Sequence, residues 1–182
     1  MAATYLDEIL THHRARAARD EREWRSRLSD TEYGGPSFLE ALSSKENGFV
    51  KVIAEVKRRS PSKGWLNEDL DVADVVTSYQ AGGAAAISVL TDEEYFAGSL
   101  DDVAKTSQCV SLPLLRKDFT VSENDVLDTA AMGAGAVLLI VAALSDDELA
   151  SFFQIAASIG LTVLVEVHDT DETKRALDVG AN

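Results

Sequence analysis

From residue 50 onward, the apolar positions of the chain fall into two alternating patterns. Short runs dense in Val, Ile and Leu at 50–56, 85–90, 112–115, 136–141 and 162–167 predict strands. Amphipathic stretches of helical spacing at 71–81, 99–108, 123–132, 145–159 and 170–179 predict the helices that alternate with them. Branched apolar strands joined by helices of this length predict a parallel sheet of βα units, an α/β fold. Local signals agree. Ser145 and Glu148 have capping-box spacing, and Gly82-Gly83, Gly133 and Gly160 each close a helix just before a strand. Upstream, residues 2–28 predict one helix with a stripe of Leu6, Ile9 and Leu10, while 29–48 read as a linker with a short helix near 38–42. The expected organisation is a helical extension, 1–48, and a partial barrel domain of five βα units, 49–182.

Five units in residues 49–182 average about 27 residues each, so eight would approach the ~250 residues of a closed (βα)8 TIM barrel. The punctuation at Gly180-Ala181-Asn182 is that of a further strand, so a C-terminally truncated barrel is expected, poorly active because of its open edges. A five-stranded doubly wound sheet is the competing architecture. No Gly-rich dinucleotide fingerprint follows any strand, and Gly82-Gly83 precedes one, the wrong side for phosphate.

Charge narrows the partners. The formal net charge is −14, which repels nucleic acid and anionic lipid and leaves a small anionic substrate held by a few focused lysines. No apolar run approaches the ~20 residues of a bilayer span, and the N-terminus lacks a secretory signal, so a cytoplasmic protein is expected. Cys109, the single cysteine, reads as a small core residue in a reducing compartment. His12, His13 and His168 have no metal-ligand spacing and read as surface or satisfied histidines.

The candidate chemistry lies where apolar strands break their pattern at their carboxyl ends. Strand periodicity puts Glu55 and Lys57 on the face of Ile53, Lys117 on that of Leu115 and Phe119, and Glu166 on that of Leu164. In a barrel this inward face leads to the mouth where active sites are built, so two carboxylates and two ammonium groups converge in a cleft suited to acid–base work. Spacing alone does not name the reaction. The basic, hydroxyl-rich loop from Arg58 to Gly64 is a candidate carboxylate or phosphate holder, and Tyr95, Phe96 and Phe119 are candidates for an apolar wall.

Four segments carry a resemblance: Ile53-Ala-Glu-Val-Lys-Arg-Arg-Ser-Pro-Ser-Lys-Gly64, Ser88-Val-Leu-Thr-Asp-Glu-Glu-Tyr-Phe96, Pro113-Leu-Leu-Arg-Lys-Asp-Phe119 and Leu164-Val-Glu-Val167. Together they resemble the indole-3-glycerol phosphate synthases. The resemblance implies an eight-unit barrel with an N-terminal helical extension, and a carboxy-lyase of tryptophan biosynthesis. Its substrate would be 1-(2-carboxyphenylamino)-1-deoxyribulose 5-phosphate, an anion bearing a carboxylate and a phosphate, and no metal or organic cofactor is implied. By the same resemblance Lys117 matches the general acid, Glu166 the carboxylate that stabilises the developing cation, and Glu55 a supporting acid–base group. Lys57 matches an anion anchor, Ser60 and Pro61 the substrate loop, and Phe96 and Phe119 the walls around the aromatic ring. The Asn and Arg of the family's sixth strand, and the serine and phosphate loops of its seventh and eighth, would lie beyond Asn182. Two other readings stay open: a half-barrel that only binds or self-associates, and another phosphate-binding barrel such as phosphoribosylanthranilate isomerase.

Overall fold

The computed structural model describes residues 5–43 and 50–181. Its helices α1 (Tyr5–Ala17), α2 (Trp24–Leu28) and α3 (Phe38–Ser43) precede strand β1 (Ile53–Val56) and a small hairpin, β2 (Arg59–Ser60) with β3 (Gly64–Trp65). Then follow α4 (Val72–Ala81), β4 (Ala86–Leu90), α5 (Glu93–Phe96), α6 (Leu100–Cys109) and β5 (Leu114–Lys117). The chain continues through α7 (Glu123–Ala131), β6 (Ala136–Ile140), a 3-10 turn at Val141–Ala143, α8 (Asp146–Ser158), β7 (Thr162–Glu166) and α9 (Thr170–Asp178). Among the described residues, no helix is long and apolar enough to cross a membrane.

The order of the main sheet decides between the two architectures. Its five strands run β1-β4-β5-β6-β7, every neighbouring pair parallel and in chain order. A doubly wound sheet reverses its strand order at a switch point; a barrel advances one strand at a time in one direction. The fold is therefore a run of five βα units of a TIM barrel.

Helices cover one face of this sheet. Val56, Ile87, Val89 and Leu114 bury themselves with Val72 and Val76 of α4 and Val103 of α6, and Cys109 is partly buried at the edge of that cluster. A second cluster joins β6 to Leu127 of α7, Leu149 and Phe152 of α8, and Phe38 of α3. The outward-facing helices are held at their starts by side chains. The Ser145–Glu148 capping box is present, and Asp71, Ser99, Ser122 and Asp169 each accept first-turn amides.

Three boundaries differ from the sequence expectation by more than one residue. The helix expected over 2–28 breaks after Ala17. Asp20 accepts the Arg22 backbone N–H at 3.0 Å, and Arg22 turns its guanidinium to Asp20 and to Asp128 of α7, so local and tertiary bonds displace the helical ones. The strand expected at 112–115 starts later, at Leu114, because Pro113 has no N–H to give the ladder, and it extends through Lys117. The strand expected at 50–56 begins only at Ile53, and Val50 is 89% exposed. The end of the expected 29–48 linker, and Asn182, lie outside the described residues.

Candidate active site

The side-chain alternation of each strand can be fixed by its buried partner. Val56 is buried beneath α4, so Glu55 and Lys57 project from the opposite face of β1. Arg116 is buried with its Nη1 donating to the Asp125 carbonyl of α7, which sends Leu115 and Lys117 the other way. Val163 and Val165 pack against the core, leaving Leu164 and Glu166 on the free face of β7. All four predicted charges thus share the face away from the helices, at the carboxyl ends of their strands.

Register orders them further. Leu90 pairs with Lys117, and Val56 pairs with Val89, so Lys57, Leu90 and Lys117 continue one row across three strands. Glu55 sits opposite Ser88, one layer deeper, and Glu166 opposite Ile140 on the fifth strand. Lys57 Nζ donates to Glu55 Oε1, closing an ion pair within β1. Glu166 lies 3.3 Å from His168 Nε2, whose ring also meets Glu172 at 3.2 Å. Among the described residues, the Lys117 ammonium has neither a hydrogen-bonding nor an ion-pair partner. An uncommitted cation on the central row is free to give a proton or a charge to a ligand.

The substrate-side residues divide. A hollow of about 530 Å³ is lined by Tyr5, Lys57, Ser60, Pro61, Lys63 and Phe96, among others, and so collects four of the predicted binding residues. Phe119 reaches the same wall from β5, its ring centroid 6.2 Å from that of Phe96. Tyr95 leaves the wall and meets His12 edge-on at 6.1 Å. The basic loop is less free for anions than its composition implies. Arg58 forks onto Asp102 of α6, and Arg59 donates to the Glu94 and Tyr95 carbonyls while lying 5.5 Å over Trp65. These arginines fasten the β2–β3 hairpin to α5 and α6, leaving Lys57, Lys63 and the hydroxyls of Ser60 and Ser62 toward the hollow.

A second hollow, about 440 Å³, lies between α1 and α7, but its Arg16 and Arg22 are already paired with Asp125, Asp20 and Asp128. It contains none of the strand-end charges.

One polar cluster has no counterpart in the sequence expectation. His13 of α1 is buried, with Nε2 2.7 Å from Asp92 Oδ2 and Nδ1 3.9 Å from Asp118 Oδ1. Asp92 Oδ1 caps α5 by accepting from Tyr95 N and Phe96 N at 2.6 and 3.0 Å. Asp118 Oδ2 accepts from Thr91 and Arg116, each at 2.7 Å, and its Oδ1 accepts Phe119 N–H. Burial pushes the Asp118 carboxyl up, but Arg116, the Thr91 hydroxyl and His13 together outweigh it and hold it below the ordinary carboxylate range. His13, Asp92 and Asp118 are close enough to share a cation, but Arg116 already supplies positive charge to that corner. The available sequence signal was position: His13 continues the stripe of Leu6, Ile9 and Leu10 by one turn, where an apolar residue belongs.

Taken together, fold and site define a βα-barrel protein whose strand ends carry two carboxylates and two lysines on one face, beside an aromatic wall. The chain belongs to the indole-3-glycerol phosphate synthase family, whose model matches residues 6–182. It is 46% identical over 179 residues to the indole-3-glycerol phosphate synthase of Rhodococcus jostii, covering 98% of this chain and 66% of that protein. The Chlorobium phaeovibrioides synthase is 44% identical over 97% of this chain and 70% of its own length. That of a Nocardioides species is 57% identical over 71% of this chain and 50% of its own length. The chain spans about two thirds of the length of most of these relatives.

Proposed function

We propose that this chain carries the acid–base part of an indole-3-glycerol phosphate synthase, acting in the cytoplasm on 1-(2-carboxyphenylamino)-1-deoxyribulose 5-phosphate. The unpaired Lys117 ammonium, in one row with Lys57 and at the end of the strand leading to Phe119, is the observation that carries this reading. The ring carbon bearing the carboxylate attacks the ketone carbon, and the carbonyl electron pair moves to oxygen, which takes a proton from Lys117. The bond to the carboxylate then breaks, its electrons returning to the ring as carbon dioxide leaves. The new hydroxyl takes a proton from Lys57 and departs as water, pushed out by the nitrogen on the ring, and loss of a C–H proton completes the indole. Glu166 stabilises the cation that develops on nitrogen and assists that last proton removal. Glu55 supports the acid–base work and steers Lys57, which anchors anionic groups of the substrate in the hollow beside Ser60 and Pro61. Phe96 and Phe119 flank the aryl ring. On this reading residues 1–48 are an extension and 49–182 the barrel part.

The test is turnover, followed by indole fluorescence. Lys117→Ala is expected to lower kcat/KM by about 10²–10⁴-fold, the usual worth of a positioned proton donor, while a carbinol analogue of the substrate still binds. Wild-type-like turnover by Lys117→Ala overturns the acid assignment.

A further inference from the structure

We propose that His13 is a positioning residue: through Asp92 and Asp118 it ties α1 to the two loops that aim the aromatic wall and the strand end of Lys117. The inference rests on the proposed use of that wall and lysine for an aryl substrate.

Three observations converge on the imidazole. Its Nε2 meets Asp92, and the other oxygen of the same carboxylate accepts the backbone N–H of Phe96, so one side chain links His13 to the start of the turn that carries a wall residue. Its Nδ1 faces Asp118, one residue after Lys117, whose Oδ1 accepts the backbone N–H of Phe119. The ring itself rests against Phe119 with centroids 5.3 Å apart, and Phe119 in turn meets Phe96 at 6.2 Å. One buried ring therefore hydrogen-bonds one loop through Asp92, faces the Asp118 carboxylate of the other at 3.9 Å, and touches one wall residue directly. Among the described residues its Nδ1 has no hydrogen-bond partner, so the site is not built merely to satisfy a buried histidine.

Arg116 and Thr91 explain why the link is stiff. Thr91 donates to Asp118, Arg116 holds both Thr91 and Asp118, and the Thr91 backbone N–H donates to the Lys117 carbonyl at 3.2 Å. Asp118 is fixed from the sheet side, so His13 transmits the position of α1 rather than following a loose loop. α1 is also seated by Ile9 and Leu10 and by the ion pairs of Arg14 with Glu148 and Arg16 with Asp125; the His13–Asp92 bond adds the contact that reaches the wall loop. His13 touches no reacting atom in the proposed chemistry and acts only through the residues it aligns.

Two amides of different reach separate positioning from packing. His13→Gln extends far enough to donate to Asp92, whereas His13→Asn has the same chemistry but is one methylene short. In protein labelled with fluorinated phenylalanine, the Phe96 and Phe119 resonances are expected to move in His13→Asn and to return toward wild type in His13→Gln. In the turnover assay His13→Asn is expected to raise KM about tenfold with kcat changed less than threefold, and Gln to restore KM to within about twofold. Unmoved resonances in a folded His13→Asn protein overturn the inference, as does equal perturbation by Asn and Gln. Should His13→Asn not fold, His13→Ser takes its place in the same comparison. If the resonances respond as stated but wild-type protein binds no carbinol analogue of the substrate, the positioning stands and the synthase reading fails.

Discussion

Arg116 is fully buried at the end of β5, directly behind Lys117, and its guanidinium is divided among Asp118, the Thr91 hydroxyl and the Asp125 carbonyl. A buried ion pair of this kind adds little over well-packed apolar residues, but removing one member strands the other charge. Arg116→Met is therefore expected to destabilise the protein by about 3–5 kcal/mol, read as a shift of the urea midpoint, whereas Arg116→Met combined with Asp118→Leu recovers part of that loss. An additive double variant would contradict the coupling. Residue by residue, the sequence made Glu55, Lys57, Lys117 and Glu166 legible because each is a charge breaking a buried strand pattern. His13 and Asp92 were hidden for the opposite reason: their partners are far apart in sequence, and the one local mark is the place of His13 in the apolar stripe of α1.

At the scale of elements, the N-terminal helices are seated by ion pairs as much as by apolar contact. Arg14 donates to both oxygens of Glu148, at 2.7 and 3.0 Å, binding α1 to the start of α8. The Arg14 hydrogen bonds, aided by the Ser145 backbone N–H and opposed by partial burial, lower the Glu148 carboxyl to about 2 from its ordinary 4.5. A depressed acid contributes stability that is complete above its unfolded value and is lost as pH falls through its folded value. Docking of α1 should therefore weaken from about pH 4.5 down toward about 2. Asp20, held down to about 2 by Arg22, loses its contribution in a similar range. Because Arg14 and Glu148 are partly exposed, the effect is discounted to roughly 1 kcal/mol. Trp24 fluorescence in a Trp65→Phe background reports it, and Arg14→Gln should flatten the acid dependence; an unchanged profile in that variant would contradict this assignment. Element existence was readable from periodicity, but the break between α1 and α2 was not, since it is made by Arg22 reaching to α7 rather than by a Gly or Pro. The β2–β3 hairpin was likewise invisible as structure: its two-residue strands are too short for alternation to register, and only turn formers mark it, Pro61, Ser62 and Gly64, the last at φ +69.

Across the whole molecule, both core clusters depend on the helices staying on one side of the sheet. Phe152 of α8 is almost completely buried between β6 and its neighbours, so Phe152→Ala is expected to cost about 3–5 kcal/mol in a denaturation experiment. A cost below about 1 kcal/mol would mean that α8 is not seated there. The parallel βα character was legible from composition and spacing; strand order was not, because pairing is a long-range property, and the sequential order is what separates barrel from doubly wound sheet. That order also brings the strand-end charges to one face. This face, with Lys117 at its middle, is expected to receive the arylamino ketone substrate. A structure of the protein bound to a carbinol analogue tests it most directly. The oxygen that stands for the ketone is expected within about 3 Å of Lys117 Nζ, with the aryl ring between Phe96 and Phe119. An analogue seated instead in the hollow between α1 and α7, away from Lys117, would contradict it.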